Sequence, residues 1–447
     1  MGTAATPPTP PPPPTAPTAP TAPTAPTATP LAPEASPPFG GALRRCVGDV
    51  DDFLDHRWSR QPHRLDPPDA GAFADLLSVA AVDHILSTTA PRTPSFRLVA
   101  DGTPLPESAY TRSGRVGGKP YQGAVDVARL SHAFADGATV VLQSLHRSWA
   151  PLARFCRDLE LSLTHPAQAN AYLTPAGATA LAPHHDTHDV FVLQVHGHKH
   201  WRVSEPVVEA PLPRHRSRAQ TAAAQPLLFE ADLAPGDCLY LPRGFVHAAT
   251  AQEGASLHVT IGVHAVTAHD VLAAVVDRAG EHPAFRAPLP LGFARDSQAL
   301  QEAVEACVAE ARRWLASVDP VPVAEGLRRR FWSQRQPLLE GQLSQLVDLG
   351  RLDDDTVVAR RPGSICEPVA GAGGTGAAAD DAGDKLRLLL GDRELVLPVA
   401  VEPALRRLLD GDPRPVSALA DLLDVSSRLV LVRRLVREGL VEVVGGG

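Results

Sequence analysis

PHHDTHDVFVLQVHGHKHWRV, residues 183–203, is the stretch of this 447-residue chain whose reading decides the fold. It opens with a His-x-Asp pair, His184 and Asp186, and runs on through DVFVLQV and KHWRV, two short apolar segments divided by a glycine turn. Side chains on a β-strand alternate between faces, so residues spaced i, i+2 share one side of the sheet. His184 and Asp186 are therefore expected to grip one ion from one short strand. Histidine is common in this chain, 18 in all with six of them between His184 and His200, so the triplet alone is a weak signal.

A second segment strengthens it. Residues 236–247, GDCLYLPRGFVH, read as G-x5-P-x-G-x2-H and end in His247. Gly236-Asp237 turns the chain, CLYL is expected as a half-buried strand, and Pro242-Arg243-Gly244 forces a tight turn that aims His247 into the interior. The pattern resembles the second motif of the cupin barrels. Two imidazoles and one carboxylate on one face leave three octahedral positions open, the arrangement that suits Fe(II) holding a co-substrate together with O2.

Composition narrows the alternatives. An apolar fraction of 44% in a chain of this length allows two or three well-filled domains. The net charge of −8 argues against a protein whose main partner is a phosphate backbone. Five cysteines, Cys46, Cys156, Cys238, Cys307 and Cys366, are odd in number and lack CxxC spacing, which fits reduced thiols and a cytoplasmic setting. No apolar run reaches the length of a membrane span, and the N-terminus lacks the basic-then-apolar pattern of a signal peptide. Of the 42 basic residues only three are lysines, at positions 119, 199 and 385. One of them falls inside the segment quoted first.

Organisation follows from changes in period. Residues 1–38 are Pro/Thr/Ala-rich and are read as a disordered tail, because they hold too few bulky apolar side chains to bury a core. Residues 39–265 form the expected barrel domain. DVDDFLDHRW reads as a helix and GATVVLQSL as a buried strand; NAYLT, DVFVLQV, KHWRV, DCLYL and SLHVTIGV read as the antiparallel strands of the barrel. Residues 211–225 read as a mobile loop. Across 266–369 the period changes to 3.6, and HDVLAAVVDRAG, SQALQEAVEACVAEARRWLASV and VAEGLRRRFWSQRQPLLEGQLSQLV read as three amphipathic helices. Residues 370–383 read as a flexible linker. In 384–447 a hairpin about Gly391-Asp392, two helices (VSALADLLD and SSRLVLVRRLVREGL) and a closing strand give a winged-helix pattern. That segment carries ten basic and ten acidic side chains, so despite Arg428, Arg433, Arg434 and Arg437 direct nucleic-acid binding is not expected.

With NAYLTP (170–175), the two ligand segments, LPRGFVHAA (241–249) and SLHVTIG (256–262) in hand, the chain resembles the JmjC-type cupin family that includes the ribosomal oxygenases. The resemblance runs from about Gly40 to the C-terminus and leaves the proline-rich tail without a counterpart. It implies a mainly β fold with α: a double-stranded β-helix barrel, a helical dimerisation region and a winged-helix domain. It also implies Fe(II), 2-oxoglutarate and O2 as cofactor and co-substrates, and hydroxylation of a histidine or arginine side chain in a ribosomal protein by a homodimer.

Residue by residue, the resemblance makes His184, Asp186 and His247 the iron ligands. Lys199, thirteen residues after Asp186, stands where the family binds the distal carboxylate of 2-oxoglutarate, and a buried dicarboxylate requires a fixed cation at that end. Tyr172 and Thr260 stand where hydroxyls assist the lysine, and Asn170 shares a strand face with Tyr172 and Thr174. His185 occupies a position that is usually aromatic in the family and is expected to point away from the metal. His188, His196, His198, His200 and His258 are assigned to surface, turn or supporting positions, with His258 nearest the metal. Two other readings compete: a cupin enzyme that does not use 2-oxoglutarate, and a non-catalytic interaction protein acting through its C-terminal domain.

Overall fold

Residues 183–203 do not begin as a strand. In the computed structural model, which describes residues 40–67, 69–179, 181–217, 219–369 and 385–445, the regular strand starts at Asp189, and His184 is held by a single bridge to His247. The expectations for the proline-rich tail and for the 370–383 linker lie outside the described residues.

Three helical pieces lead into the barrel: α1 (Gly41–Val47), α2 (Val50–Asp52) and a π-turn at Phe53–Arg57. Then come β1 (His63–Leu65), α3 (Val79–Thr88), β2 (Phe96–Ala100), β3 (Thr103–Pro104), a separate hairpin of β4 (Thr111–Val116) and β5 (Lys119–Val125), α4 (Val127–Ala135), β6 (Thr139–Leu142) and α5 (Ala150–Leu163). The ligand-bearing half follows as β7 (Ala167–Thr174), β8 (Asp189–His196), β9 (Lys199–Pro206), α6 (Ala219–Ala223), β10 (Leu227–Leu233), β11 (Cys238–Leu241), β12 (Phe245–Ala251) and β13 (Ser256–Val263). The eight-stranded sheet has the order β1-β11-β8-β13-β7-β6-β2-β3, and it faces a three-stranded sheet β10-β9-β12. Every pairing is antiparallel, so the chain forms the cupin-like barrel of a mainly β fold with α.

The larger sheet is covered on both faces, which explains where simple alternation fails. Its outer face packs with Leu43, Cys46, Phe53, Leu152 and Leu159 from the N-terminal segment and α5. Its inner face meets the small sheet in a core of Val190, Val192, Trp201, Val203, Leu233, Leu239 and Leu241. CLYL, expected half-buried, is buried along its whole length: Cys238 and Tyr240 enter the first core, Leu239 and Leu241 the second. A strand between two neighbours and two covered faces reads as continuous apolar sequence. The 211–225 segment, expected as a loop, contains the short helix α6.

Beyond the barrel come α7 (Ala268–Asp277), α8 (Ser297–Leu315), α9 (Pro320–Ser333) and α10 (Gln342–Val347). The third expected helix is thus two. Pro337 lacks the amide that a continuous helix would need, and Gly341 at φ +76° starts α10 afresh. Between them Arg335 donates its backbone N–H to Gly391 O (2.7 Å) and its guanidinium to Glu160 (2.7 Å).

The C-terminal unit draws on both sides of the 370–383 segment. Strands β14 (Val357–Arg360) and β15 (Glu367–Pro368) precede it; β16 (Lys385–Leu389), β17 (Glu394–Pro398), α11 (Glu402–Leu409), β18 (Arg414–Pro415), α12 (Val425–Glu438) and β19 (Val441–Val443) follow. β14 pairs with β18 and β19, and β15 pairs with β16. The hairpin about Gly391-Asp392 forms as expected. VSALADLLD does not form a regular helix: a single 3-10 turn spans Val416–Leu419, tied by Val416 N to Thr356 O (3.0 Å) and by Ser417 N to Asp354 O (2.8 Å). The other helix of this unit is α11, which sequence reading passed over. Arg428 is buried against Asp354, Arg433 caps Leu352 O, and Arg434 pairs with Glu438.

Candidate metal centre and its cavity

The two histidines of the centre hold each other through the backbone. His184 N donates to His247 O at 3.2 Å and His247 N to His184 O at 2.8 Å, which sets the imidazole centroids 4.5 Å apart. Gly244 N donates to Asp186 O (3.0 Å), so the tight turn before β12 is also fastened to the ligand segment. Gly244 has φ +95°, and a Cβ there would lie 2.3 Å from Val208 O, so the turn requires glycine.

One donor atom each from His184, Asp186 and His247 lies within 4.8 Å of the other two, and no other such cluster occurs among the described residues. The imidazole tautomers fit a metal. His184 Nδ1 lies 2.9 Å from Ala182 O and His247 Nδ1 3.1 Å from Phe245 O; a carbonyl only accepts, so each Nδ1 carries the proton. Both Nε2 lone pairs are then free, and that of His247 faces Asp186 Oδ2 at 3.7 Å. Burial pushes the His247 imidazole down to about 4, with His184 adding to the effect. Burial alone would raise the Asp186 carboxyl, but His247, His188, His184 and His185 together hold it below the usual range. Neutral imidazoles beside an ionised carboxylate are the donor set a divalent cation requires.

A cavity of about 360 Å³ extends from this cluster between the two sheets. Asn170, Tyr172, His258 and Thr260 line it from β7 and β13, and Lys199 and Trp201 from β9. The even positions of β7 face it, as i, i+2 spacing demands. Lys199 is 1% exposed, and its Nζ donates to Thr174 Oγ1 at 3.0 Å with His258 Nδ1 at 3.4 Å. No carboxylate pairs with it among the described residues, and burial lowers its pKa to about 7. Tyr172 stacks on His258 with centroids 4.9 Å apart, and Thr260 and Arg97 line the cavity with it. Burial first, then Asp186, raises that phenol to about 12, so Tyr172 stays protonated. Asn170 Oδ1 accepts from Ser144 N (2.9 Å).

All seven residues singled out from sequence thus line one cavity. The hydroxyl partner of Lys199 is Thr174, however, rather than Tyr172 or Thr260. Sequence reasoning also passed over Arg97 and Gln143, which line the same cavity and bond to each other (Nε to Oε1, 3.1 Å). His188, assigned to a supporting position, lies on its wall. His185 is buried away from it, with Nε2 3.0 Å from His215 O. His196 and His198 are exposed, and His200 pairs with Asp232.

A family model described as "JmjC domain" matches residues 145–271. Ribosomal oxygenase 1 of Gallus gallus is 35% identical over 215 residues, covering 47% of this chain and 34% of that protein. The bifunctional lysine-specific demethylase and histidyl-hydroxylase NO66 of Drosophila persimilis is 29% identical over 225 residues, covering 47% of this chain and 30% of that one. The chain therefore spans about a third of the length of these curated relatives. Among solved structures, YcfD, a ribosomal oxygenase from Escherichia coli, aligns with 89% of this chain and 98% of its own at 18% identity and a TM-score of 0.49.

Proposed function

On the premise that the chain carries a JmjC domain, we propose that it is an Fe(II)- and 2-oxoglutarate-dependent oxygenase that hydroxylates a histidine or arginine side chain of a ribosomal protein. The single observation that carries this reading is Lys199: a buried amine that no carboxylate pairs with among the described residues, on the wall of a cavity that also contains a His-Asp-His donor set. An isolated buried charge is costly, and an incoming carboxylate relieves that cost. The ribosomal oxygenase and histidyl-hydroxylase names of the relatives point to the same chemistry.

In this reading His184, Asp186 and His247 hold the metal on one face. Lys199 and Thr174 receive the distal carboxylate of 2-oxoglutarate, and Tyr172, Thr260 and Asn170 complete the pocket beside them. When bound, iron supplies O2 activation coupled to decarboxylation of 2-oxoglutarate to succinate and CO2. Trp201 lines the cavity with its ring centroid 6.0 Å from that of His247, and Tyr172 remains a neutral hydrogen-bond donor.

Two coarser features extend the proposal. Val271, Leu272 and Val276 on α7 and Val304, Val308 and Leu315 on α8 are all exposed, an apolar face that we assign to a second copy of the chain. The C-terminal unit we read as a winged-helix-like module for structure or protein contact, because Arg428, Arg433 and Arg434 are engaged within it rather than offered outward. No helix among the described residues is long and apolar enough to cross a membrane. The five free cysteines support a cytoplasmic setting.

The test is succinate formation from 2-oxoglutarate with Fe(II) and ascorbate. His184→Ala and Lys199→Ala are each expected to abolish it; turnover equal to the parent in either variant would refute the assignment. A +16 Da modification lost from a ribosomal protein in a deletion strain would identify the substrate.

A further inference from the structure

Between the two ligand segments lies a buried charge pair that the proposed chemistry does not use. Asp189 is the first residue of β8, three positions after Asp186, and its side chain is fully buried. Arg243 lies in the turn four positions before His247. Arg243 Nη1 meets Asp189 Oδ2 at 2.9 Å, and the Arg243 backbone N–H reaches Asp189 Oδ1 at 3.3 Å. Tyr240 donates its hydroxyl to the same Oδ1 at 2.9 Å, so both carboxylate oxygens are occupied.

The N-terminal segment closes the network from outside the barrel. Ser59 N donates to Tyr240 Oη (2.8 Å), and Ser59 Oγ accepts from Arg243 Nη1 (2.9 Å). Ser59 adopts φ +56°, a left-handed conformation that a serine holds only when its surroundings fix it. Trp58 stacks on Tyr240 with centroids 5.8 Å apart. Four hydrogen bonds and one ion pair thus tie three chain segments, residues 58–59, 186–189 and 240–244, at one point.

We infer that Asp189 and Arg243, backed by Ser59, are positioning residues that fix the separation of His247 from His184 and Asp186 and so set the affinity of the metal centre. The inference rests on the proposed metal site. Removing a buried ion pair by mutating one partner leaves the other charge uncompensated, whereas removing both is tolerated far better. A purely structural pair would lower stability without singling out the metal. A positioning pair lowers metal affinity beyond any loss that an equal destabilisation elsewhere produces, and groups that orient metal ligands typically change affinity by about 10- to 100-fold.

The experiment titrates the full-length apoprotein with Co(II) and reads its visible absorption, with thermal melting measured in parallel. Arg243→Met is expected to weaken Co(II) binding about tenfold or more, and Arg243→Lys, which keeps the charge, by no more than about threefold. Leu435→Ala, in the core of α12 and remote from the centre, serves as the comparison of lowered stability and is expected to leave Co(II) affinity at the parent value. Should Arg243→Met fail to fold, Asp189→Asn/Arg243→Met replaces it, with the same tenfold loss expected. Parent-like affinity in the Arg243→Met or double variant, or an equal loss in Leu435→Ala, would overturn the inference. A parent protein that binds no Co(II) would overturn both this inference and the proposed function, whereas unaltered affinity in the variants would leave the proposed function standing.

Discussion

Lys199 sets the balance between stability and ligand binding at the scale of one residue. Its ammonium is driven down to about 7 by burial, against about 10.4 in an unfolded chain. Between those values the unfolded state binds the extra proton, so the ligand-free protein gains stability as pH rises from about 7 to about 10, and below 7 the folded state carries the charge in full. Lys199→Met is therefore expected to raise the melting temperature of the ligand-free protein at pH 7 and to flatten its rise toward pH 9, while abolishing succinate formation. Calorimetry at both pH values checks this; a variant that melts below the parent at both would contradict it. Under the proposed function the same residue would make 2-oxoglutarate binding proton-linked. At pH 8, titration calorimetry in buffers of different ionisation enthalpy should record proton uptake of up to about one per site.

At the scale of elements, the two ligand segments were legible because each declares itself locally, although the first of them precedes β8 rather than lying on it. His184 and Asp186 are two residues apart, and His247 closes a motif with its own turn residues. Arg97 and Thr174 were not legible as partners of the pocket. Arg97 sits on β2, which reaches the cavity only because β6 intervenes between β2 and β7 in the sheet, and no local pattern encodes that order. Thr174 was visible as a face-mate of Tyr172, but the choice of Thr174 over Thr260 as the partner of Lys199 depends on the stagger between the two sheets. The partners of β14 were hidden for the same reason: in sequence β14 looks like the end of the helical region, yet its neighbours β18 and β19 come more than fifty residues later. A chain ending at residue 369 is expected to aggregate, because β14 loses both neighbours and Leu352 and Val358 lose the core they share with Leu431 and Leu435. Light scattering of the truncated protein beside the parent would decide; a monodisperse product would show that β14 stands without them.

At the scale of the whole molecule, the described residues form one compact unit. Its junction is a buried Arg157–Glu160–Arg335 triad: Glu160 accepts from Arg157 (3.1 Å) and Arg335 (2.7 Å), and Arg157 reaches on to Gln336 O and Gly363 O. The barrel and the C-terminal unit are therefore expected to melt together. The apolar face of α7 and α8 needs its own cover. If that face pairs two copies as proposed, Val304→Glu/Val308→Glu is expected to halve the mass in light scattering without loss of the proposed turnover, and an unchanged mass would remove that face from consideration.

The reciprocal bonds between His184 and His247 lead to a kinetic signature. Each of these amides is released only when the other's carbonyl also lets go, so a single opening event exposes both to solvent. In hydrogen–deuterium exchange the two should share one protection factor although 63 residues of sequence separate them. A divalent cation that grips both imidazoles should slow the pair by the same factor. Two amides exchanging in step would thus record how often the centre comes apart, independently of any turnover.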